Sequence, residues 1–590
     1  MMHFSDIRPA NEQKLFAWFL LALCAITLFP FLGETLFNTR GEPREAVVAL
    51  SMIHDGNWVL PVNNGVDLAY KPPFFHWIAA LCSLPCGTVS EYTARMPSAL
   101  ALTAMVMGGY LFYARRCGAR LALLMAVVTL GSFEVHRAGV ACRVDMVLTC
   151  MMVLSLYALF TWVERGMKGL PLWGTLCLSG AFLSKGPVGA ALPCLVVAVY
   201  AWAKGRGFWP VLWRMAVVGL LSLVLPALWY AAAYGQGGER FLRLVYEENI
   251  LRLLGKMTYE SHVNPWTYNV VTILCGMLPF TLLLLIAIFA MKPRFFARLA
   301  ASLRALKGHF WAKVRAVDDV KLFSFLSAAI VFVFYCIPKS KRSVYLLPVY
   351  PFLAYYTARA MLRLSRNHRS VLHVFNGVLA VLALSLTAAF AAIRLGLVPE
   401  SLLEGGKNAA ANLAMLSALR HAPLGPVQWI AVVVPLIAVA VFLKYRKNVN
   451  AMAATLVLST FFALDGVYQP LVLNTKSDRP VAETICKLQP EGRIYSFRTD
   501  VCVGNEMHPF TVNFYLGDRV APFEAFMPER GYVIAGNDEM DVFAKRYPAY
   551  RTRLVEDFHH RSCDDHKMLK LYFVEKLPTA EAAAHPVPAS

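Results

Sequence analysis

Residues Ile337 to Pro351 read "IPKSKRSVYLLPVYP", between two apolar runs, Phe323 to Cys336 before them and Val344 to Tyr356 after them. Three cations, Lys339, Lys341 and Arg342, crowd a turn that joins two apparent membrane spans. Whether such charges are an orientation signal or a ligand site depends on the side of the membrane the turn faces. Topology therefore decides the reading.

Of the 590 residues, 58% are hydrophobic and only 16% charged, against roughly 25% charged in a soluble domain. Apolar runs of spanning length, about 17 to 25 residues, recur from near Lys14 to about Leu464. Spans are expected at 15–33, 95–114, 121–136, 144–163, 171–184, 187–203, 213–231, 267–290, 321–338, 343–361, 371–394, 427–444 and 450–466. This is an α-helical polytopic membrane protein of about thirteen transmembrane helices. The fifth and sixth are short and separated only by "SKGP", Ser184 to Pro187. Leu15 to Leu32, after Arg8 and Lys14, reads as a retained signal anchor, since no small-residue cleavage site follows. Most of the 13 cysteines lie in apolar runs, where the thiol behaves as a small hydrophobe. Cys486, Cys502 and Cys563 fall in the polar tail, where one disulfide is open to them outside the cytoplasm.

With the N-terminus inside, the cytoplasmic connections become "ARRCGAR", "ERGMKG", "AKGRGFWPVLWR", the long Lys292 to Lys321 segment, "RLSRNHR" and "KYRKN", all basic. That is the arrangement the positive-inside rule expects of the inner face. Much of the net charge of +20 is thereby an orientation signal, and its spread over loops argues against a nucleic-acid partner. Thirteen crossings would put the tail, from about Asp465, in the periplasm.

The opening turn then lies outside, where the same rule does not favour cations. Arg40, Arg44, Lys71, Arg137, Arg143, Lys185 and Arg252 share that face. A charge hard against a span end is unfavourable unless it snorkels to lipid headgroups, pairs or meets an anion. A membrane-embedded anion would satisfy the whole set.

The first outer loop, about 34–91, opens with "GEPREAVVALSMIHDG", whose apolar residues recur at helical spacing. A short amphipathic helix on the membrane interface is expected there, with Pro43 at its start and Glu42 near the positive end of its dipole. In the tail, Arg493 to Arg498, Phe510 to Leu516, Tyr532 to Gly536 and Lys570 to Lys576 read as strands, and "EMDVFAKRYPAY" as a helix. The expected organisation is a transmembrane domain 1–466, a small periplasmic α/β domain 467–576 and a frayed end 577–590. "DFHHRSCDDH", Asp557 to His566, matches no trusted zinc spacing and reads as a solvated loop.

The order "GEPREA", "GNWVLPVNNGVDLAYKPPFFHW", "RMPSAL", "CRVDM.LT", "LSKGP", "EENILR", "NPW.Y" and "KSKRSVYLLPVYP" resembles the integral-membrane glycosyltransferases of the GT-C superfamily. The nearest branch is that of the aminoarabinose transferases of lipid A and, more distantly, the protein O-mannosyltransferases. The resemblance covers roughly the first 360 residues and keeps motif order and spacing. It implies a polyprenyl-phosphate sugar donor, a periplasm-facing site under the first outer loop, and transfer to a lipid or protein acceptor. By motif position, Lys71 matches the lysine that binds the donor phosphate, Tyr345 the tyrosine of "YxLP", Arg44 the arginine of the first-loop motif, and Asp145 the acidic residue after the third span. The aminoarabinose branch reads "DE.RYA" where this chain has "GEPREA", so its leading Asp is Gly41 and its Tyr is Glu45. The acidic residue before its Lys-Pro-Pro is Tyr70 here, which removes support for a metal ligand at that point.

Breaking a sugar–phosphate bond leaves extra negative charge on the departing phosphate, and fixed cations are the means of stabilising it. Lys71, Lys339, Lys341 and Arg342 are the candidates, with Arg44 and Arg143 beside them and a Tyr345 hydroxyl as neutral donor. An acceptor hydroxyl must also lose a proton, for which Glu42 is the first candidate base and Glu45 and Asp145 are rivals. Glu248, Arg252 and Lys185 are candidates for substrate contacts. No obligatory cofactor or metal is expected. A flippase for a polyprenyl-phosphate lipid could use the same cations, but alternating access would call for matching charges at the inner face, where the loops read as ordinary connectors. An assembly protein would leave the buried cations unexplained.

Overall fold

The computed structural model describes residues 9–251, 263–291, 310–406, 408–489, 491–499 and 508–578. Within them a helical bundle is capped at one end by a mixed sheet. Its first helices are α1 (Pro9–Leu28), α2 (Gly41–Asp55), α3 (Phe74–Ser83), α4 (Glu91–Cys117), α5 (Ala119–Leu130), α6 (Phe133–Gly139), α7 (Val144–Glu164), α8 (Leu172–Lys185) and α9 (Val188–Ala203). They are followed by α10 (Phe208–Ser222), α11 (Val224–Tyr246), α12 (Thr267–Gly276) and α13 (Phe280–Met291), then by Asp319–Cys336, Tyr350–Asn367, Arg369–Arg394, Pro426–Lys444 and Val449–Ala463. Each expected span thus falls on helix. Among the described residues, seven helices are long and apolar enough to cross a bilayer, or nine if the two bent pairs α5–α6 and α12–α13 each count as one crossing. That makes a multi-pass membrane protein, while α8 and α9 are too short to reach that length singly.

α4 opens with a reciprocal cap: Thr93 N donates to Ser90 Oγ at 3.2 Å, and Ser90 N to Thr93 Oγ1 at 3.0 Å, satisfying two otherwise orphaned donors. The bundle core is aromatic where α4, α7 and the helix Asp319–Cys336 meet. Phe112 stacks on Tyr157 at 4.4 Å, and Phe160 lies 4.4 Å from Phe323. The Tyr113 hydroxyl there shares a 2.7 Å hydrogen bond with Ser324, so this buried phenol keeps a polar partner.

The loop after α1 is not spread on a membrane surface. α2 is buried at Pro43 and from Glu45 through Met52, packed between the bundle and the tail helix Phe510–Tyr515. The expected interfacial helix is therefore corrected to an internal one, because a second layer of protein covers the face it was to show to lipid. Phe37 N donates to Tyr515 Oη at 3.1 Å, and that hydroxyl donates to Glu91 Oε1 at 2.6 Å. Asp518 accepts from Ser51 Oγ at 2.7 Å, Asn64 N at 2.9 Å and Asn513 Nδ2 at 2.7 Å. These bonds tie α2 and the small hairpin β1 (Val62–Asn63) and β2 (Asp67–Leu68) to the tail.

The tail sheet runs in the order β4-β3-β5-β7-β6, from β3 (Ile494–Ser496), β4 (Val520–Pro522), β5 (Arg530–Gly536), β6 (Tyr550–Arg561) and β7 (Met568–Lys576). β3 is parallel to β4 and β5, and β7 is antiparallel to both β5 and β6. Helices Arg479–Leu488 and Phe510–Tyr515 cover one face through Ile485 and Val512, and Glu539–Arg546 covers the other through Phe543. The α/β class is as expected, with one element reassigned. Phe510 to Leu516, read as a strand, is helical over Phe510–Tyr515, its start held by the Asp564 carboxylate, which accepts from Thr511 N at 2.8 Å and Thr511 Oγ1 at 2.8 Å.

"DFHHRSCDDH" is likewise not a solvated loop. Asp557 to Arg561 belong to β6, and His560 Nε2 (2.9 Å), Ser562 Oγ (3.0 Å) and Cys563 N (3.0 Å) converge on the buried Asp478 carboxylate. Burial, then the charge of Asp478, pushes the Asp564 carboxyl up to about 7. A carboxyl whose folded value is raised favours the fold while protonated, so that contribution fades as pH rises from about 4 to about 7. Protection of tail amides from hydrogen exchange should fall over that window in the wild type, and Asp564→Asn should flatten the fall.

Candidate active site

The site is built on the first turn of α2. Glu42 accepts from Arg95 Nε at 2.9 Å, Arg95 Nη2 at 3.0 Å and Cys142 N at 2.8 Å. The remaining Arg95 nitrogen, Nη1, donates to Leu32 O at 2.7 Å and Thr35 O at 2.6 Å. Burial alone would raise the Glu42 carboxyl, but the charge and hydrogen bonds of Arg95 outweigh it and hold the group below its usual value. Beside it, Arg143 occupies the space left by a missing side chain: a Cβ on Gly41 would stand 1.9 Å from Arg143 Nη2.

Three residues along α2, Glu45 is buried and lines a cleft of about 270 Å³. Its Oε1 accepts from Arg44 Nη2 at 3.0 Å, and its Oε2 meets His76 Nε2 at 3.0 Å. Burial works to raise this carboxyl as well. The opposing charges of Lys71, Arg44 and His76 win, and the group sits well below the ordinary carboxylate range. Tyr70, Lys71 and His76 share the cleft wall with Arg240 and Leu244 of α11 and with Phe510 of the tail. Glu248, half-buried, acts electrostatically on Arg44, whereas Arg252 lies outside the described residues.

A second group is centred on α7 and α8. Lys185 Nζ pairs with Asp145 Oδ1, and the same ammonium lies 4.6 Å above the Tyr345 ring, a favourable place for a cation. Tyr345 stacks on Tyr335 at 5.4 Å. The turn that delivers Lys185 depends on Gly186, at φ 89° and ψ −159°, a backbone region open essentially to glycine alone.

The basic turn divides. Lys341 is buried, and its ammonium donates to Asn264 O at 3.0 Å and Pro338 O at 2.6 Å. This corrects its reading as a phosphate ligand, because the charge is spent on carbonyls that close the turn on the Asn264 segment. Lys339 is exposed and Arg342 half-buried, and neither is among the residues lining the cleft. Glu42 also lies outside that lining, its oxygens engaged by Arg95 and Cys142. Glu45, Lys71 and Arg44 are brought together as expected, and Asp145, Lys185 and Tyr345 form a neighbouring set.

Sequence reading passed over Arg95, although it opens the quoted "RMPSAL", because a helix-start arginine has no local mark of its partner. His76 was similarly hidden in the apolar "FFHW". Phe510 reaches the cleft from more than 400 residues away along the chain, and no local pattern could signal that.

Residues 70–230 match the family described as dolichyl-phosphate-mannose-protein mannosyltransferase. The undecaprenyl phosphate-alpha-4-amino-4-deoxy-L-arabinose arabinosyl transferase of Edwardsiella ictaluri is 26% identical over 382 residues, 63% of this chain and 64% of that protein. Its counterpart in Shewanella sediminis is 24% identical over 56% of this chain and 57% of that protein. The alignments thus span a little less than two thirds of these relatives. The solved structure of ArnT from Cupriavidus metallidurans, bound to undecaprenyl phosphate, superposes with a TM-score of 0.66 at 20% identity, covering 95% of this chain and 97% of that one. The fold is the polytopic GT-C fold, and the resemblance to a GT-C glycosyltransferase near the aminoarabinose branch is borne out.

Two substitutions separate scaffold from chemistry. Glu42→Ala should cost about 3 to 5 kcal/mol by stranding Arg95, seen as a large drop in thermal midpoint. Gly186→Ala should cost about 1 to 3 kcal/mol of strain and lower transfer by displacing Lys185.

Proposed function

We propose that the chain moves a sugar from a polyprenyl-phosphate donor to an envelope acceptor, a lipid A-like lipid or a protein or glycan, at the periplasmic face of the inner membrane. The observation that carries this reading is the Glu45 carboxylate lining a small cleft with Lys71 and Arg44, roofed by the tail domain.

In a single displacement an acceptor oxygen attacks the anomeric carbon while the bond from that carbon to the phosphate oxygen breaks. The bonding pair leaves with the phosphate, giving polyprenyl phosphate and an inverted glycoside. Lys71 and Arg44 stabilise the charge that grows on the phosphate, with Lys185, Arg143 and the Tyr345 hydroxyl as further contacts. When the acceptor is a hydroxyl, its proton passes to Glu45, oriented by His76; a phosphate acceptor already lacks that proton. Glu45 replaces Glu42 as the leading base because Glu45 lines the cleft, whereas Glu42 lies outside that lining and is held by Arg95 and Cys142. Asp145 holds Lys185, a positioning part.

A carboxylate held so low is a weak base in the free enzyme. An arriving phosphate competes with Glu45 for Lys71 and Arg44, so donor binding itself makes the carboxylate more basic. This couples proton removal to the presence of donor. The tail, expected at the periplasmic face, closes the cleft and contacts the acceptor.

Proteoliposomes supplied with labelled polyprenyl-phosphate sugars test the reading. Glu45→Gln should lower kcat by about 10²- to 10⁴-fold with little change in donor KM. Lys71→Ala should chiefly raise donor KM. Because the free Glu45 carboxyl titrates well below its usual range, the acid limb of kcat/KM should lie below pH 4.5, the unperturbed carboxyl value. Movement of intact lipid without glycosyl transfer would refute the proposal.

A further inference from the structure

A second cleft, of about 770 Å³, opens on the bundle between α1, α5 and the helices Pro426–Lys444 and Val449–Ala463. It shares no lining residue with the catalytic cleft. Most of its wall is apolar, including Phe16, Leu23, Val127, Leu458 and Phe462. Its hydroxyls are spent within their own helices: Thr27 Oγ1 donates to Leu23 O at 2.8 Å, Thr455 Oγ1 to Ala451 O at 3.0 Å and Ser459 Oγ to Leu456 O at 3.0 Å. Polar groups gather only at one end, where Glu12, Arg120, Asn448 and Asn450 lie. The wall along α1 from Glu12 to Thr27 is about 22 Å long at 1.5 Å per residue, more than the roughly 15 Å of hydrocarbon in one leaflet.

That polar end holds an exposed guanidinium, shared with one carboxylate, and an unmet acceptor. Arg120 has a 73% exposed side chain and meets Glu12 through Nε at 3.0 Å. The Asn450 Oδ1 is buried with no hydrogen-bond partner. Arg115 in the last turn of α4, Lys444 at the end of Pro426–Lys444, and Arg446 and Lys447 between the two later helices flank that end, on the side assigned to the cytoplasm by its charge. An apolar trough of leaflet depth with a basic mouth is complementary to a phospholipid whose headgroup is anionic.

We infer that this cleft is a binding site for an anionic diacyl phospholipid of the inner leaflet, its acyl chain along α1 and its phosphate at Arg120. The site is independent of the transfer reaction, and its polar mouth lies at the start of α1, away from the end that leads to α2. Glu12 moderates it by sharing the guanidinium, so removing that carboxylate strengthens the hold on lipid.

The test uses the full chain, purified in detergent and offered phosphatidylglycerol or phosphatidylcholine, with retained lipid counted by native mass spectrometry. Phosphatidylglycerol should be retained preferentially. Arg120→Ala should weaken retention about fivefold, as expected for one basic side chain beside an anionic headgroup. Glu12→Gln should strengthen it, and Ala454→Trp, which fills the trough, should abolish it while transfer activity persists. Photoactivatable phosphatidylglycerol on wild-type protein, which needs no variant to fold, should label peptides 16–27 and 450–462. Equal retention of phosphatidylcholine, labelling elsewhere, or loss of label to added undecaprenyl phosphate would overturn the inference.

Discussion

One buried ion pair holds the catalytic end together. The Arg95 guanidinium reaches the connection after α1 through Leu32 O and Thr35 O, and the start of α2 through Glu42, while Glu42 also takes the N–H of Cys142. Segments around residues 32–42, 95 and 142, far apart in sequence, thus meet on two side chains. Such a pair gains little net stability over a well-packed apolar substitute, but losing one partner strands a buried charge. Its value is geometric. Glu45 lies three residues further, about 4.5 Å along the helix axis, so fixing Glu42 fixes where the cleft carboxylate stands.

The tail domain reinforces that constraint from the other side. Asp518 binds α2 and the hairpin at once, and Gly65 leaves room for Ala521: a Cβ there would stand 2.6 Å from the Ala521 methyl carbon. The first outer loop is therefore clamped between two rigid bodies, which is what a site that must distinguish small charge displacements requires. Lys341 performs a related task at the bundle edge, spending its charge on backbone carbonyls so that a tight turn can be buried.

The membrane architecture was legible because spanning length and loop charge are local quantities. The motif order likewise marked the neighbourhoods of Glu45, Lys71, Asp145 and Lys185. The division of labour within them was not legible. Glu42 and Glu45 stand three residues apart and differ in role only through Arg95 and His76, partners that folding supplies from α4 and α3. The strand read over Phe510 to Leu516 failed for a similar reason: its run of apolar and aromatic residues suits a buried strand or a short buried helix equally, and tertiary contact with Asp564 and α2 settles the matter. The solvated reading of Asp557 to His566 overlooked Asp478, some 80 residues earlier, which recruits that polar run inward.

The departure at Gly41 gains a physical meaning from Arg143. Where the aminoarabinose pattern places a carboxylate, this chain has no side chain, and a guanidinium moves into the space. Tyr70 stands where that branch has an acid and Glu45 where it has a Tyr, and both line the cleft, so a negative charge is relocated within the cleft. The fold is thus shared with the solved ArnT structure, while the charges around α2 and Lys71 are arranged differently from the aminoarabinose pattern.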